Sequence, residues 1–185
     1  MHMNISTHLE SILGSIERGC SASGAPTGVQ GCRFRDQPDT SATTYATLGL
    51  SHHVLRLKGA REVRQELLLS VQASQARDEL AGTLFEVATR MLQDHRALLR
   101  GEVVHLGGPI LHGTEATALY ASSPVLFPES LATFSSTTPP TVFVWLFPVL
   151  PSEVRFIVAH GWSAFEGLLE RNAPDLLDLH RAPIV

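Results

Sequence analysis

Leu9, Ile12, Leu13 and Ile16 recur every three or four residues, the spacing that lays one apolar stripe along a helix, and predict a first helix over 6–18. Ser6 or Thr7 stands where its cap would fall, Glu10 where a capping-box acid would, and Gly19 where it would end. A Ser/Gly/Pro-rich loop over 19–28 leads to a weakly alternating strand over 29–35. The polar stretch 36–43 turns the chain back into a second strand over 44–50, rich in β-branched and aromatic residues. Gly49, near its end, signals a bulge or a close backbone approach. Residues 63–72 form a third strand whose centre is apolar without interruption, the pattern of a strand covered on both faces.

A long helix follows over 78–99, with Leu80, Leu84, Val87, Ala88, Met91, Leu92, His95, Leu98 and Leu99 on its apolar side and Gly101 beyond its end. A strand region begins at 103–106 and is interrupted by Gly107-Gly108-Pro109, a pair of glycines suited to a turn with positive φ. Residues 117–127 supply another strand or an irregular apolar segment. Val, Phe, Val, Trp and Leu in succession over 142–146 make a buried strand that Pro148 and Pro151 should stop. Ser152 can then cap a helix over 153–159 with Glu153 in its first turn, where negative charge suits the helix dipole. A last helix covers 163–171, and the tail 172–185, with two prolines, reads as a surface extension. The order of elements predicts an α+β fold without repeats.

Length and charge narrow the classes. One domain of 185 residues can bury a full core. A net charge of −4 argues against broad electrostatic binding to nucleic acid or to an anionic membrane. No apolar run is long enough to span a bilayer and no signal peptide is evident, so a cytoplasmic location is expected. Cys20 and Cys32 form no CxxC pair; free thiols are expected, with a bridge between them left open.

Candidate chemistry is sparse. Of nine histidines, His52 and His53 are adjacent and would point to opposite faces of a strand, and nothing matches HExxH. His105 and His112 flank the paired glycines without a matched carboxylate. Gly49-Leu50-Ser51 resembles half of a nucleophile elbow, but His53 replaces the second glycine. The acids Asp78, Glu79 and Glu153 open helices, and Asp175 and Asp178 lie on the tail. Trp145 reads as a core residue, Trp162 as an edge or interface residue. No metal or cofactor is called for.

Several ordered fragments resemble the suppressor-of-fused family, in particular its single-domain bacterial members. Thr47, Gly49, Leu50 and Ser51 are in register with the family's Thr-x-Gly-(Leu/Met)-Ser segment. Glu66-Leu67-Leu68-Leu69 is similar to its Glu-Leu strand, and 101–109 to the segment after its long helix. Phe147-Pro-Val-Leu-Pro-Ser-Glu153, followed by Gly161 and Leu168, is similar to its Pro-Leu-x-x-x-Glu and Gly-x-x-x-Leu signature. Pro148, Glu153 and Gly161 carry that second match. Pro151 departs from it where the family usually has a polar residue, and the tail has Ala182-Pro183 in place of a clear Asp-Pro-x-Arg ending.

The resemblance covers 29–171, with 1–28 as an N-terminal helix and loop of the same domain and 172–185 as an extension. It implies a suppressor-of-fused-like single domain, an α+β fold with a central mixed β-sheet flanked by helices, that binds another protein and catalyses nothing. Animal members sequester a zinc-finger transcription factor; bacterial relatives are proposed as immunity proteins that neutralise toxin domains. The expected contact surface is an exposed sheet edge together with Ser51, His52, His53 and Arg56. Two alternatives stand beside it: a small hydrolase or metal-dependent enzyme using Ser51 and His52, and an intracellular regulatory or scaffold protein. Monomer and homodimer are both open, since 125–127 and Trp162 could serve an interface or the core.

Overall fold

The computed structural model describes residues 4–20, 24–59 and 61–185. Its axis is the pairing of two apolar strands far apart in sequence, Glu62–Gln72 (β5) and Thr141–Val149 (β9), which run parallel with Leu68 opposite Trp145. Ala42–Leu48 (β3), Gln30–Arg35 (β2) and Arg18–Cys20 (β1) extend the sheet from β5, each antiparallel to its neighbour. Ala118–Ser122 (β7) and Val103–His105 (β6) extend it from β9, also antiparallel. Two-residue strands Leu55–Arg56 (β4) and Thr133–Phe134 (β8) pair with the starts of β5 and β9. One parallel pair among antiparallel ones makes the sheet mixed, and β1 and β6 are its outer strands.

Helices cover both faces. Glu79–Gln93 (α2) packs Leu80, Leu84, Val87, Ala88 and Met91 against Tyr45, Leu67, Leu69, Val144 and Leu146. On the other face Ile5–Leu13 (α1), Pro151–His160 (α3) and Trp162–Asn172 (α4) supply Leu9, Leu13, Ile157 and Phe165 to a core built on Leu68, Phe143, Trp145 and Phe147. Neighbours on β5 and β9 thus fall alternately into two cores, which explains their unbroken apolar runs. No helix among the described residues is long and apolar enough to cross a membrane.

Several boundaries differ from expectation, each for a local reason. α1 is capped by Asn4, whose Oδ1 accepts from the Thr7 N–H at 2.8 Å, and ends at Gly14 (φ 78°), not Gly19. Arg18–Cys20 form β1 where the last residue of the expected helix and the first residues of the expected loop would stand; positions 21–23 of that loop lie outside the described residues. α2 stops at Gln93 because Gln65, buried on β5, takes the next segment: its Nε2 donates to the Leu98 carbonyl at 2.8 Å and its Oε1 accepts from the Leu98 N–H at 2.9 Å. β9 continues through Pro148. Its pairing with β5 ends at Leu146, so the proline stands where only β7 is a neighbour and its missing N–H leaves no gap in the ladder. The Gly107-Gly108 turn needs no positive φ; the Gly107 N–H donates to Glu86 Oε1 at 3.0 Å.

The tail is not a surface extension. Leu177 and Leu179 are buried, the Leu177 carbonyl accepts from the Gln72 N–H at 2.9 Å, and the Leu179 N–H donates to Gln75 Oε1 at 2.8 Å. Asp175 and Asp178, read as solvated, accept from the side-chain amides of Gln72 and Gln75.

Both cysteines are free. Cys20 stands opposite Gly31 and Cys32 opposite Gly19, a one-residue offset that sends their thiols to opposite faces of the sheet and into different cores. Burial pushes the Cys32 thiol up to about 12 and the Tyr45 hydroxyl up to about 12. Both groups therefore stay protonated in the folded chain while an unfolded chain begins to ionise near its ordinary values of 9.0 and 10.0. Raised folded-state values contribute stability that is whole below the unfolded values and lost as pH climbs through the folded ones. The urea midpoint should hold up to about pH 9 and fall steadily from there towards pH 12.

Candidate protein-binding site

Pairing of β3 with β5 stops at Ala46 opposite Leu68, and the chain that leaves the sheet there is held by one buried carboxylate. Glu66 Oε1 accepts three hydrogen bonds, from the Gly49 N–H at 2.9 Å, the Ser51 N–H at 3.0 Å and Ser51 Oγ at 2.7 Å. Its Oε2 accepts from Thr47 Oγ1 at 2.6 Å, and Thr47 Oγ1 accepts in turn from the Leu67 N–H at 2.8 Å. These bonds supply partners for backbone groups that no strand reaches, as buried N–H groups require. Burial pushes the Glu66 carboxyl above its ordinary range, and the bonds from Thr47, Ser51 and Gly49 pull it back.

The segment so held is a short 3-10 turn, Leu50–His52, entered through Gly49 at φ 107°. Gly49 meets both of its expected roles at once: a Cβ there would lie 2.2 Å from the Gly28 carbonyl oxygen, on a backbone that L side chains avoid. Gly49→Ala should therefore lower stability by more than about 2 kcal/mol. Thermal melts of the variant beside Gly28→Ala, whose added Cβ meets nothing within 4 Å, separate the clash from backbone strain alone.

The motif residues thus divide between inside and outside. Thr47, Leu50, Ser51 and Glu66 are buried, whereas His52, His53, Val54 and Arg56 are exposed. Ser51 is the member of the expected contact surface that the fold withdraws, at 3% exposure. Its hydroxyl hydrogen goes to Glu66 and not to an imidazole, so Ser51 and His52 do not form a nucleophile–base pair. Among the described residues no group of three or more His, Cys, Asp or Glu side chains could hold a metal ion.

A second brace steadies the turn from the side. Arg64 Nη1 donates to the Ser51 and His52 carbonyls at 2.7 and 3.0 Å, and its Nε and Nη2 to the Thr138 carbonyl at 3.4 Å. The displayed surface is basic. Arg56, Lys58, Arg61 and Arg64 against Glu62 give residues 52–64 a charge of +3, and the remainder of a chain of net −4 therefore carries −7. Arg96 lies beside this face with its charge paired to Glu102, its segment running alongside β4: the Arg56 N–H donates to the His95 carbonyl at 3.1 Å and the Ala97 N–H to the Arg56 carbonyl at 2.9 Å.

Beside it runs the outer edge of β6. Bonds from the Ala121 N–H to the Glu102 carbonyl and from the Leu106 N–H to the Thr117 carbonyl, both 2.9 Å, put Val104 in the inward-bonded position. The backbone groups of Val103 and His105 face away from β7, with the His105 carbonyl accepting from Arg90. A cavity of about 390 Å³ lies between this edge and the end of α2, lined by Val87, Met91, Arg90, Arg96 and Leu98 among others.

Pro148 and Glu153, of the second set of motif residues, also meet at a buried carboxylate. Glu153, fully buried, accepts from the Leu150 N–H at 2.9 Å at the start of α3. Arg181 Nη1 and Nη2 reach its two oxygens at 2.6 and 2.7 Å, and Nη2 also donates to the Pro148 carbonyl at 3.0 Å. The Ile184 N–H adds a bond of 3.2 Å. Glu153 is therefore the anchor of the tail as well as a first-turn acid, and the first turn begins at Pro151 with no cap from Ser152. Gly161, at φ 86°, joins α3 to α4. Sequence reasoning missed Arg181 and Arg64. For Arg181 a signal was present: Leu177 and Leu179 give the tail an apolar pattern that a solvated extension would not need.

A mixed sheet covered on both faces, with two carboxylates locking its loops from within, defines a single-domain α+β protein whose shaped element is a surface turn. The family model for suppressor of fused protein (SUFU) matches residues 25–182, and the chain belongs to that family. No curated protein sequence matches it. Among solved structures it is similar to a SUFU homolog from Neisseria gonorrhoeae FA 1090, with a TM-score of 0.79 at 18% identity over 97% of this chain and 93% of that one. It is similar to a chain of a Sufu-Fu complex, with a TM-score of 0.76 at 13% identity over 97% and 90%. Drosophila Suppressor of Fused gives a TM-score of 0.65 at 11% identity over 84% of this chain and 42% of that one. At these identities the likeness is one of fold.

Proposed function

We propose that this chain is a non-catalytic protein-binding module that engages its partner through the basic turn at His52, His53 and Arg56 and the adjoining edge of β6. The observation that carries the reading is the allocation of the motif's polar groups. Thr47, Gly49, Ser51 and Glu66 bond to one another, which leaves a rigid, exposed, positively charged turn as their product. A pre-ordered turn loses little freedom on binding, and an unpaired strand edge offers backbone bonds to an extended segment. The capture of a similar fold in a Sufu-Fu complex supports a protein as partner.

The finer reading is an immunity protein that neutralises a toxin domain in the cytoplasm, with 29–171 as the binding domain. Its probe is the product of the reading frame adjacent to this gene. That product should bind the purified chain and be neutralised by it on co-expression. A His52→Ala/Arg56→Glu variant should bind at least tenfold more weakly with an unchanged melting temperature. Equal binding by the variant would sink the assigned surface; binding without growth protection would sink the immunity reading alone.

A further inference from the structure

We infer that the partner meets the basic turn with an acidic segment of protein, whose Asp or Glu carboxylates supply the counter-charges that this surface lacks. The inference rests on the reading of the chain as a protein-binding module and names the chemistry of what that surface takes. The distribution of ion pairs carries it. Of the 14 Lys and Arg side chains, seven are paired with an Asp or Glu carboxylate among the described residues. Arg56, Lys58, Arg61 and Arg64 are all among the other seven. Half of the cations are thus neutralised by their own chain, whereas these four, close together in sequence and on one hairpin, are not.

The fold holds these charges outward. Leu55 and Val63 are opposed across β4 and β5 and are buried, so strand alternation turns the next opposed pair, Arg56 and Glu62, towards solvent. The Leu57 N–H donates to the Arg61 carbonyl at 2.8 Å and continues the pairing, with Lys58 and Arg61 both exposed. Arg64 spends its donors on the Ser51, His52 and Thr138 carbonyls, which leaves its charge without an anion. Glu62 is the single acid over 52–64, and among the described residues it makes no ion pair with Arg56.

Carboxylates suit this surface better than the phosphates of a nucleic acid. The +3 of residues 52–64 is local, and the remainder of the chain carries −7. Charges separated by more than about 8 Å are largely screened at physiological ionic strength. A short acidic segment therefore meets the hairpin alone, whereas a long polyanion also meets the negative remainder. No Phe, Tyr or Trp stands in 52–64 for a base to stack on. Val54, 37% exposed between His53 and the buried Leu55, offers instead the apolar contact that a side chain of a protein segment can use. Guanidinium groups grip carboxylates through two parallel hydrogen bonds, and three of the four cations are arginines.

The probe is the peptide acetyl-Glu-Thr-Glu-Thr-Glu-Thr-amide, whose carboxylates share one face when it is extended, set against the same peptide with Gln for Glu. In the nitrogen-15-labelled chain the acidic peptide should shift the Arg56, Lys58 and Arg61 amide signals saturably, and the Gln peptide should bind several-fold more weakly. Lys58→Gln/Arg61→Gln, at exposed positions outside the Glu66 bonds and the Arg64 brace, should weaken the acidic peptide by roughly threefold or more with an unchanged melting temperature. Glu62→Gln, which removes the one opposing charge, should tighten it by about twofold. An acidic peptide that shifts none of these signals, or that binds no better than its Gln counterpart, would overturn the inference. So would a thymidine tetranucleotide of the same charge that binds as tightly, which marks a nucleic-acid surface. The experiment with His52→Ala/Arg56→Glu fails separately: loss of the adjacent gene product there, with no preference for the acidic peptide here, keeps the surface and removes only the acidic partner.

Discussion

Glu66→Ala should unfold the protein more readily than any other single change on the β3–β5 side. The substitution strands the Gly49 and Ser51 N–H groups and the Ser51 and Thr47 hydroxyls in a site where Glu66 itself is fully buried. Leaving several buried donors unmatched, with a cavity added, is expected to cost about 4 kcal/mol. Glu66→Gln separates shape from hydrogen bonding. With its amide oxygen in the Oε1 position it keeps the three bonds from Gly49 and Ser51, and its NH₂ can donate to Thr47 Oγ1, which then reverses its role. That variant should lose no more than about 1 kcal/mol. Urea titrations read both. An alanine variant as stable as wild type would show that the turn does not depend on the carboxylate. Loss of binding to the adjacent gene product by Glu66→Ala, with His52 and Arg56 intact, would tie the buried brace to the displayed surface.

Arg181→Ala should be nearly as damaging, for a different reason. It leaves the Glu153 carboxyl fully buried and without its guanidinium, and breaking a buried pair of this kind costs about 3–5 kcal/mol. The Pro148 carbonyl loses its donor at the same time. Arg181→Lys should recover only part of the loss, since one ammonium cannot span two carboxylate oxygens and a carbonyl in the same fork. Amide exchange gives the decisive reading. The Leu177 and Leu179 amides should become fast-exchanging in Arg181→Ala while those of β5 keep their protection. Uniform acceleration across the chain would mean that the tail is not a separate cooperative unit.

The central strands and the helices of this fold are legible because their signals are local, whereas the short strands β1, β4 and β8 carry no such signal. The unbroken apolar run 63–72 and the Val-Phe-Val-Trp-Leu run both mark strands buried on two sides, and α2 shows its stripe plainly. Boundaries went astray where a distant side chain decides them. Gln65 ends α2 by bonding to Leu98, and β9 passes through Pro148 because β5 has already parted from it. The site divided in the same way. Thr47, Gly49, Ser51 and Glu66 were picked out together by resemblance, but their convergence on one carboxylate depends on the β3–β5 register, which no spacing rule provides. Glu153 looked like an ordinary first-turn acid until Arg181, 28 positions later, was found beside it.

The parallel seam between β5 and β9 has a consequence for biogenesis. Residues 64–69 must wait for 141–146 before the centre of the sheet can close, and Arg181 must follow before Glu153 is neutralised. Native contacts this remote in sequence slow the search for the folded state. During translation the antiparallel strands β1 to β5 emerge before β9 exists to cover their inner edge, so the unfinished chain presents apolar surface that the completed sheet hides.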